Sequence, residues 1–146
     1  VASNRHLGRI VALQTLYEYD FRGGEDSGLD LMVVYKRNID QFKQQIDDTD
    51  FVEKLVLGVS KKAAELDEII APIAPDWPVD QIARIDKIIL RVALFELNQG
   101  DGTPSKVIIN EAVELAKAFG GDNSSKFING VLGTALKNLE EKDGKE

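Results

Sequence analysis

Val79-Asp80-Gln81-Ile82-Ala83-Arg84-Ile85-Asp86-Lys87-Ile88-Ile89-Leu90-Arg91-Val92-Ala93-Leu94-Phe95-Glu96-Leu97 is the stretch whose reading decides the fold. Ile82, Ile85, Ile88, Ile89, Val92, Leu94, Phe95 and Leu97 recur at helical spacing but cover more than one face. A helix apolar nearly all round is a central one, enclosed by others. The spacing therefore predicts a buried helix from about Val79 to Leu97.

Its flanks read the same way. Upstream, Pro72, Pro75 and Pro78 each lack an N–H and restrict the preceding residue, so they end a helix. That helix is predicted to run unbroken from about Phe51 to Ile70, with Val52, Leu55, Val59, Leu66, Ile69 and Ile73 marking its buried side. Asp50 and Glu53 have capping-box spacing at its start. Trp77 in the proline turn reads as a core plug or as a partner anchor. Downstream, Gly100, Gly102 and Pro104 make a turn before a helix over about Ser105 to Phe119, which Gly120-Gly121 stops. Asn123-Ser124-Ser125 then cap a last helix carrying Phe127, Ile128, Val131, Leu132, Leu136 and Leu139.

Towards the N-terminus, Ser3 or Asn4 caps a helix reaching Phe21, with Leu7, Ile10, Leu13, Tyr17 and Phe21 as its apolar stripe. A Gly-rich polar loop separates it from a second helix over about Leu29 to Ile46. No strand alternation appears. The fold class is all-α, in one domain spanning 1–146, with the proline turn as the seam between halves of about 1–73 and 79–140.

Composition narrows the function. There is no Cys, which excludes disulfides, cysteine nucleophiles and thiolate zinc sites. One His and no phosphate-loop or nucleophile motif leave little for catalysis, so no enzyme, cofactor or metal site is expected. Asp47, Asp48 and Asp50 lack the pattern of an EF-hand loop and read as a solvated cap. No apolar run approaches the roughly 20 residues of a membrane span, and no signal core opens the chain, so a cytoplasmic protein is expected.

The net charge of −7 argues against a surface devoted to nucleic acid. Its distribution says more. No Asp or Glu precedes Glu18, while Arg5, His6 and Arg9 fall in the first turns of the first helix. A helix N-terminus favours acids, so bases there run against the macrodipole. Arg5 and Arg9 are four apart and project from one side, apart from Leu7, Ile10 and Leu13. They are read as lying off the packed face, where two guanidiniums can hold phosphates. At the last helix, Lys126 can neutralise phosphate and Phe127 can stack on a base; alternatively Phe127 is core, spaced with Val131. Asn110 and Asn129 suit either buried ties between helices or ligand contact.

Four segments taken together resemble the NusB family. Arg5-His6-Leu7-Gly8-Arg9 followed by Ala12-Leu13-Gln14-Thr15-Leu16-Tyr17 is similar to its opening. Ile85–Leu97 resembles its central helix, and Lys106–Lys117 its next one. Ser125-Lys126-Phe127-Ile128-Asn129-Gly130-Val131-Leu132-Gly133 resembles its closing pattern. The resemblance implies two packed three-helix bundles, of six to seven helices. It implies binding of boxA single-stranded leader RNA together with a ribosomal small-subunit protein, NusE, in a complex with transcribing RNA polymerase and other Nus factors. Such a complex promotes processive transcription of ribosomal RNA operons. RNA contact would fall to Arg5, His6, Arg9, Arg91, Lys126, Phe127 and Asn129, and contact with the ribosomal protein to Asp86 and its helix surface. Some members form a homodimer through the first helix. His6 stands where another Arg is frequent, and Gly8 is a poor helix former, so the basic patch is thin. Two alternatives stay open: a NusB-like domain cut from a ribosomal RNA cytosine methyltransferase, and a helical protein-interaction module.

Overall fold

The computed structural model describes residues 4–74 and 78–144, so Ser3 and Trp77 lie outside the described residues. Among the described residues the chain is helical without strands: α1 Arg5–Phe21, α2 Leu31–Asp40, α3 Thr49–Lys61, α4 Ala63–Ile73, α5 Arg84–Gln99, α6 Ser105–Phe119 and α7 Ser124–Gly144. Short 3₁₀ turns occupy Gly24–Ser27 and Val79–Gln81. The helices form two compact units, Val1–Lys61 and Lys62–Glu146.

In the first unit α1 packs against α2 and α3. Asn4 caps α1, its Oδ1 accepting the Leu7 N–H at 3.3 Å. The buried side of α1 is Gly8, Arg9, Val11, Ala12, Leu13, Thr15 and Leu16. This differs from the expected stripe: Leu7, Ile10 and Tyr17 are half-buried and Phe21 is 64% exposed. The reason is steric. Gly8, Ala12 and Thr15 are small and recur at spacings of four and three, which lets neighbouring helices come close; a Cβ on Gly8 would lie 2.8 Å from Val52 Cγ2. Thr15 Oγ1 accepts from Asn38 Nδ2 at 3.1 Å, and the Tyr35 hydroxyl donates to the Thr49 carbonyl at 3.2 Å.

Helix α2 is shorter than predicted. Asp30 caps it through the Met32 N–H at 2.9 Å, and residues 41–45 are turns. The cap of α3 is Asp48 rather than Asp50: Asp48 Oδ1 accepts the Phe51 N–H at 3.0 Å, and Asp50 already lies in the first helical turn.

The expected continuous helix from Phe51 to Ile70 is two. Lys62, at φ −105° and ψ 14°, separates α3 from α4 without any Gly or Pro. Helix α4 then packs on α5 and α7, so the units divide at Lys61–Lys62, ahead of the proline turn. Pro72 sits inside α4, one residue before its end. In the second unit α5 is central, contacting α4, α6 and α7 and burying Ile88, Ile89, Leu90, Val92, Ala93, Leu94 and Phe95. Helices α6 and α7 form a hairpin, whose turn brings Gly120 so near Ser124 that an added Cβ would lie 2.5 Å from the serine side chain. The Ser124 hydroxyl accepts the Gly121 N–H at 2.9 Å, folding back on the turn. No described helix is long and apolar enough to cross a membrane.

Candidate nucleic-acid interface

The first turns of α1 carry Arg5, His6 and Arg9 against the start of α3. Arg5 Cζ lies 4.3 Å from the centroid of the Phe51 ring, and Arg9 Cζ lies 5.1 Å from it. Arg5 Nη2 is also 3.2 Å from Asp48 Oδ2, in an ion pair whose side chains are each 36% exposed. His6 is exposed.

This corrects one expectation. The arginines do not stand clear of the packing: Arg9 is only 3% exposed, and both guanidiniums lie against the Phe51 ring. The close approach at Gly8 explains it, because seating α1 on Val52 also seats the adjacent Arg5 and Arg9 over Phe51. The ring quadrupole attracts both cations and gives them a fixed platform. A guanidinium presents its donors in a plane suited to phosphate oxygens, and of the two that of Arg5 is the accessible one. Arg5 and His6 form the accessible part, and Arg9 is buried against the same ring.

Phe51 and Asp48 were not singled out for this face from sequence. Phe51 marks only the start of the predicted helix, and Asp48 reads as part of a solvated cap. Only the α1–α3 contact reveals their part.

In the second unit, Lys126 and Asn129 are exposed in the first turns of α7, Phe127 is half-buried, and Ile128 and Val131 are buried. The periodicity thus puts Phe127 at the margin of the core, beside a solvent-facing Lys126. Asn129 and Asn110 are both exposed, which overturns the reading of buried ties between helices. Gly130 adds open surface next to Asn129, with nothing within 4 Å of an added Cβ.

Arg91 does not join this group. Its Nε and Nη2 donate to Asp67 Oδ1 and Oδ2 at 2.8 and 2.7 Å, fastening α5 to α4, and its side chain is 13% exposed. Asp86, in the first turn of α5, is 8% exposed, and its Oδ1 is buried without a hydrogen-bond partner. The positive end of the helix favours a carboxylate there, but the unused acceptor is costly by about 1–3 kcal/mol. Among the described residues no group of three or more His, Cys, Asp or Glu is placed to hold a metal ion.

Comparison with known proteins gives this geometry its context. The NusB family model matches residues 6–137. The transcription antitermination protein NusB of Chloroflexus aggregans is 45% identical, over 100% of this chain and 96% of that protein. Its counterpart in Roseiflexus castenholzii is 46% identical, over 97% of this chain and 98% of that one. Among solved structures, T. maritima NusB superposes with a TM-score of 0.81 at 27% identity, covering 91% of this chain and 90% of that one. A crystal structure of antitermination factors NusB and NusE in complex with dsRNA gives a TM-score of 0.78 over 92% of this chain and 96% of that one; at 24% identity it speaks to the fold. An all-helical chain matched nearly end to end by non-enzymatic antitermination factors leaves one assignment: the chain belongs to the NusB family.

Proposed function

We propose that this protein binds the boxA element of leader RNA as a single strand, together with NusE, in a cytoplasmic antitermination complex on ribosomal RNA operons with RNA polymerase and other Nus factors. The observation that carries the reading is the pair of guanidiniums, Arg5 and Arg9, stacked on Phe51 at an acid-free helix end. Lys126, Phe127 and Asn129 supply a cation, a partly exposed ring and an amide, a set suited to phosphate, base face and base edge. Asp86 and the α5 surface around it are the proposed contact with NusE, as the family resemblance implies, with the buried carboxylate fixing the start of that helix. A crystal structure of NusB and NusE in complex with dsRNA, for a protein of the same fold, supports joint engagement of RNA and NusE. That the relatives at 45% and 46% identity are antitermination proteins favours this reading over a methyltransferase domain.

A thin patch makes few phosphate contacts. Three to five imply a log–log salt slope of roughly −2 to −3.5 on a single strand. The test is a titration with boxA RNA and a scrambled RNA, with and without NusE, at two salt concentrations. Binding is expected to prefer boxA and to tighten with NusE. Equal affinity with and without NusE would overturn the coupling, and equal affinity for both RNAs would overturn the boxA reading.

A further inference from the structure

Asp48 uses its two carboxylate oxygens in different directions. Oδ1 accepts the Phe51 N–H at 3.0 Å and caps α3. Oδ2 accepts from Arg5 Nη2 at 3.2 Å. The capping bond fixes the carboxylate, so it does not swing away from Arg5 without uncapping α3. Arg5 is therefore held by the Phe51 ring on its face and by a fixed anion at its edge, with 36% of its side chain exposed. A phosphate reaching that guanidinium meets a negative charge already in place, and must take over the edge that Oδ2 occupies or settle beside it.

We propose that Asp48 is a positioning and affinity-limiting residue of the RNA face: an internal counter-ion that a phosphodiester has to replace at Arg5. This rests on the reading of Arg5, with Arg9 buried behind the same ring, as part of an RNA contact. The same carboxylate orients the guanidinium and lowers its net attraction for any polyanion. A single phosphate that finds Arg5 alone gains little. A strand that also engages His6 gains enough to displace the carboxylate. Asp48 thereby raises discrimination between a correctly seated strand and stray RNA, at the expense of affinity.

Asn caps helices as well as Asp does, so Asp48→Asn keeps the α3 start and removes the charge. Its expected effect is an affinity for boxA single-stranded RNA higher by about threefold to tenfold at low salt, shrinking as salt screens the pair. The salt slope steepens by about 0.7, one more net positive charge on a single strand. The scrambled RNA gains by a larger factor, narrowing the preference for boxA.

The experiment is a fluorescence-anisotropy titration of the full chain with both RNAs over a salt series, on the parent protein, Asp48→Asn, Arg5→Ala and the double variant, with circular dichroism to check folding. The proposal holds if the gain and the slope change appear in Asp48→Asn and vanish when Arg5 is absent. It is overturned if Asp48→Asn binds equally or more weakly, or if the gain persists in the Arg5→Ala background, which marks a general charge effect. Equal RNA binding by the parent and Arg5→Ala overturns the RNA-face reading itself, and that result involves no change at Asp48.

Discussion

Arg91 grips Asp67 through two parallel hydrogen bonds of 2.8 and 2.7 Å, joining α5 to α4. A fork of this kind belongs to arginine, because lysine presents a point charge. Arg91→Ala is expected to destabilise the protein by about 1–2 kcal/mol, since a partly buried carboxylate loses both donors. That corresponds to a fall in Tm of about 2–8 °C for a chain of this size. Arg91→Lys recovers only part of it. The RNA salt slope stays unchanged in both variants, and a slope reduced by about 0.7 in Arg91→Ala would return this residue to the RNA face.

Glycine at position 8 separates packing from propensity. Alanine is the better helix former by about 1 kcal/mol, yet its methyl at Gly8 would meet Val52 Cγ2 at 2.8 Å. Val is stiff at χ1, so the neighbour yields little. Gly8→Ala is therefore expected to destabilise by about 1–2 kcal/mol and to weaken RNA binding as Arg5 and Arg9 lose register with Phe51. Gly130→Ala, in open space on α7, is expected to stabilise by about 0.5–1 kcal/mol. Thermal unfolding of the two variants checks the opposite signs.

Burial, reinforced by the nearby Glu53 and Asp50, pushes the Tyr35 hydroxyl up to about 12. In the unfolded chain it ionises near its ordinary value of about 10. Its contribution is thus complete below pH 10. Stability then falls between about pH 10 and 12, because the unfolded state releases this proton while the folded state keeps it. Tyr35→Phe is expected to flatten that decline and to lose about 1 kcal/mol at neutral pH with the bond to Thr49. Denaturant titrations at a series of alkaline pH values measure both.

Asp86 sets stability against partnership. Removing its unsatisfied Oδ1 relieves a desolvation cost and forfeits a smaller dipole interaction. Asp86→Ala is expected to leave the isolated protein as stable or up to about 1 kcal/mol more stable, while lowering affinity for NusE. Calorimetry with NusE and a melting curve decide it: a variant that melts lower and binds NusE normally would make Asp86 a purely structural residue.

How far the sequence reaches is visible in particular places. The bounds of α6 follow from Pro104 and Gly120, and the centrality of α5 from apolar residues on several faces, because both depend on local chemistry. The break at Lys62 does not show, since Lys61-Lys62-Ala63-Ala64 contains only helix-compatible residues and the apolar period continues through it. The buried face of α1 is hidden for a related reason: close helix contact selects Gly8, Ala12 and Thr15, which a search for large apolar residues passes over. The basic residues of the proposed RNA face stand out in one dimension. Their aromatic platform does not, because Phe51 is forty-two residues beyond Arg9 along the chain and meets it only through packing.

That separation bears on whether the site can be transplanted. A synthetic peptide copying α1 would carry Arg5, His6 and Arg9 but leave behind the ring beneath the arginines and the carboxylate beside Arg5. The smallest portable version of this surface spans the chain from Asn4 through α3, so any attempt to graft it must move a helix pair rather than a motif.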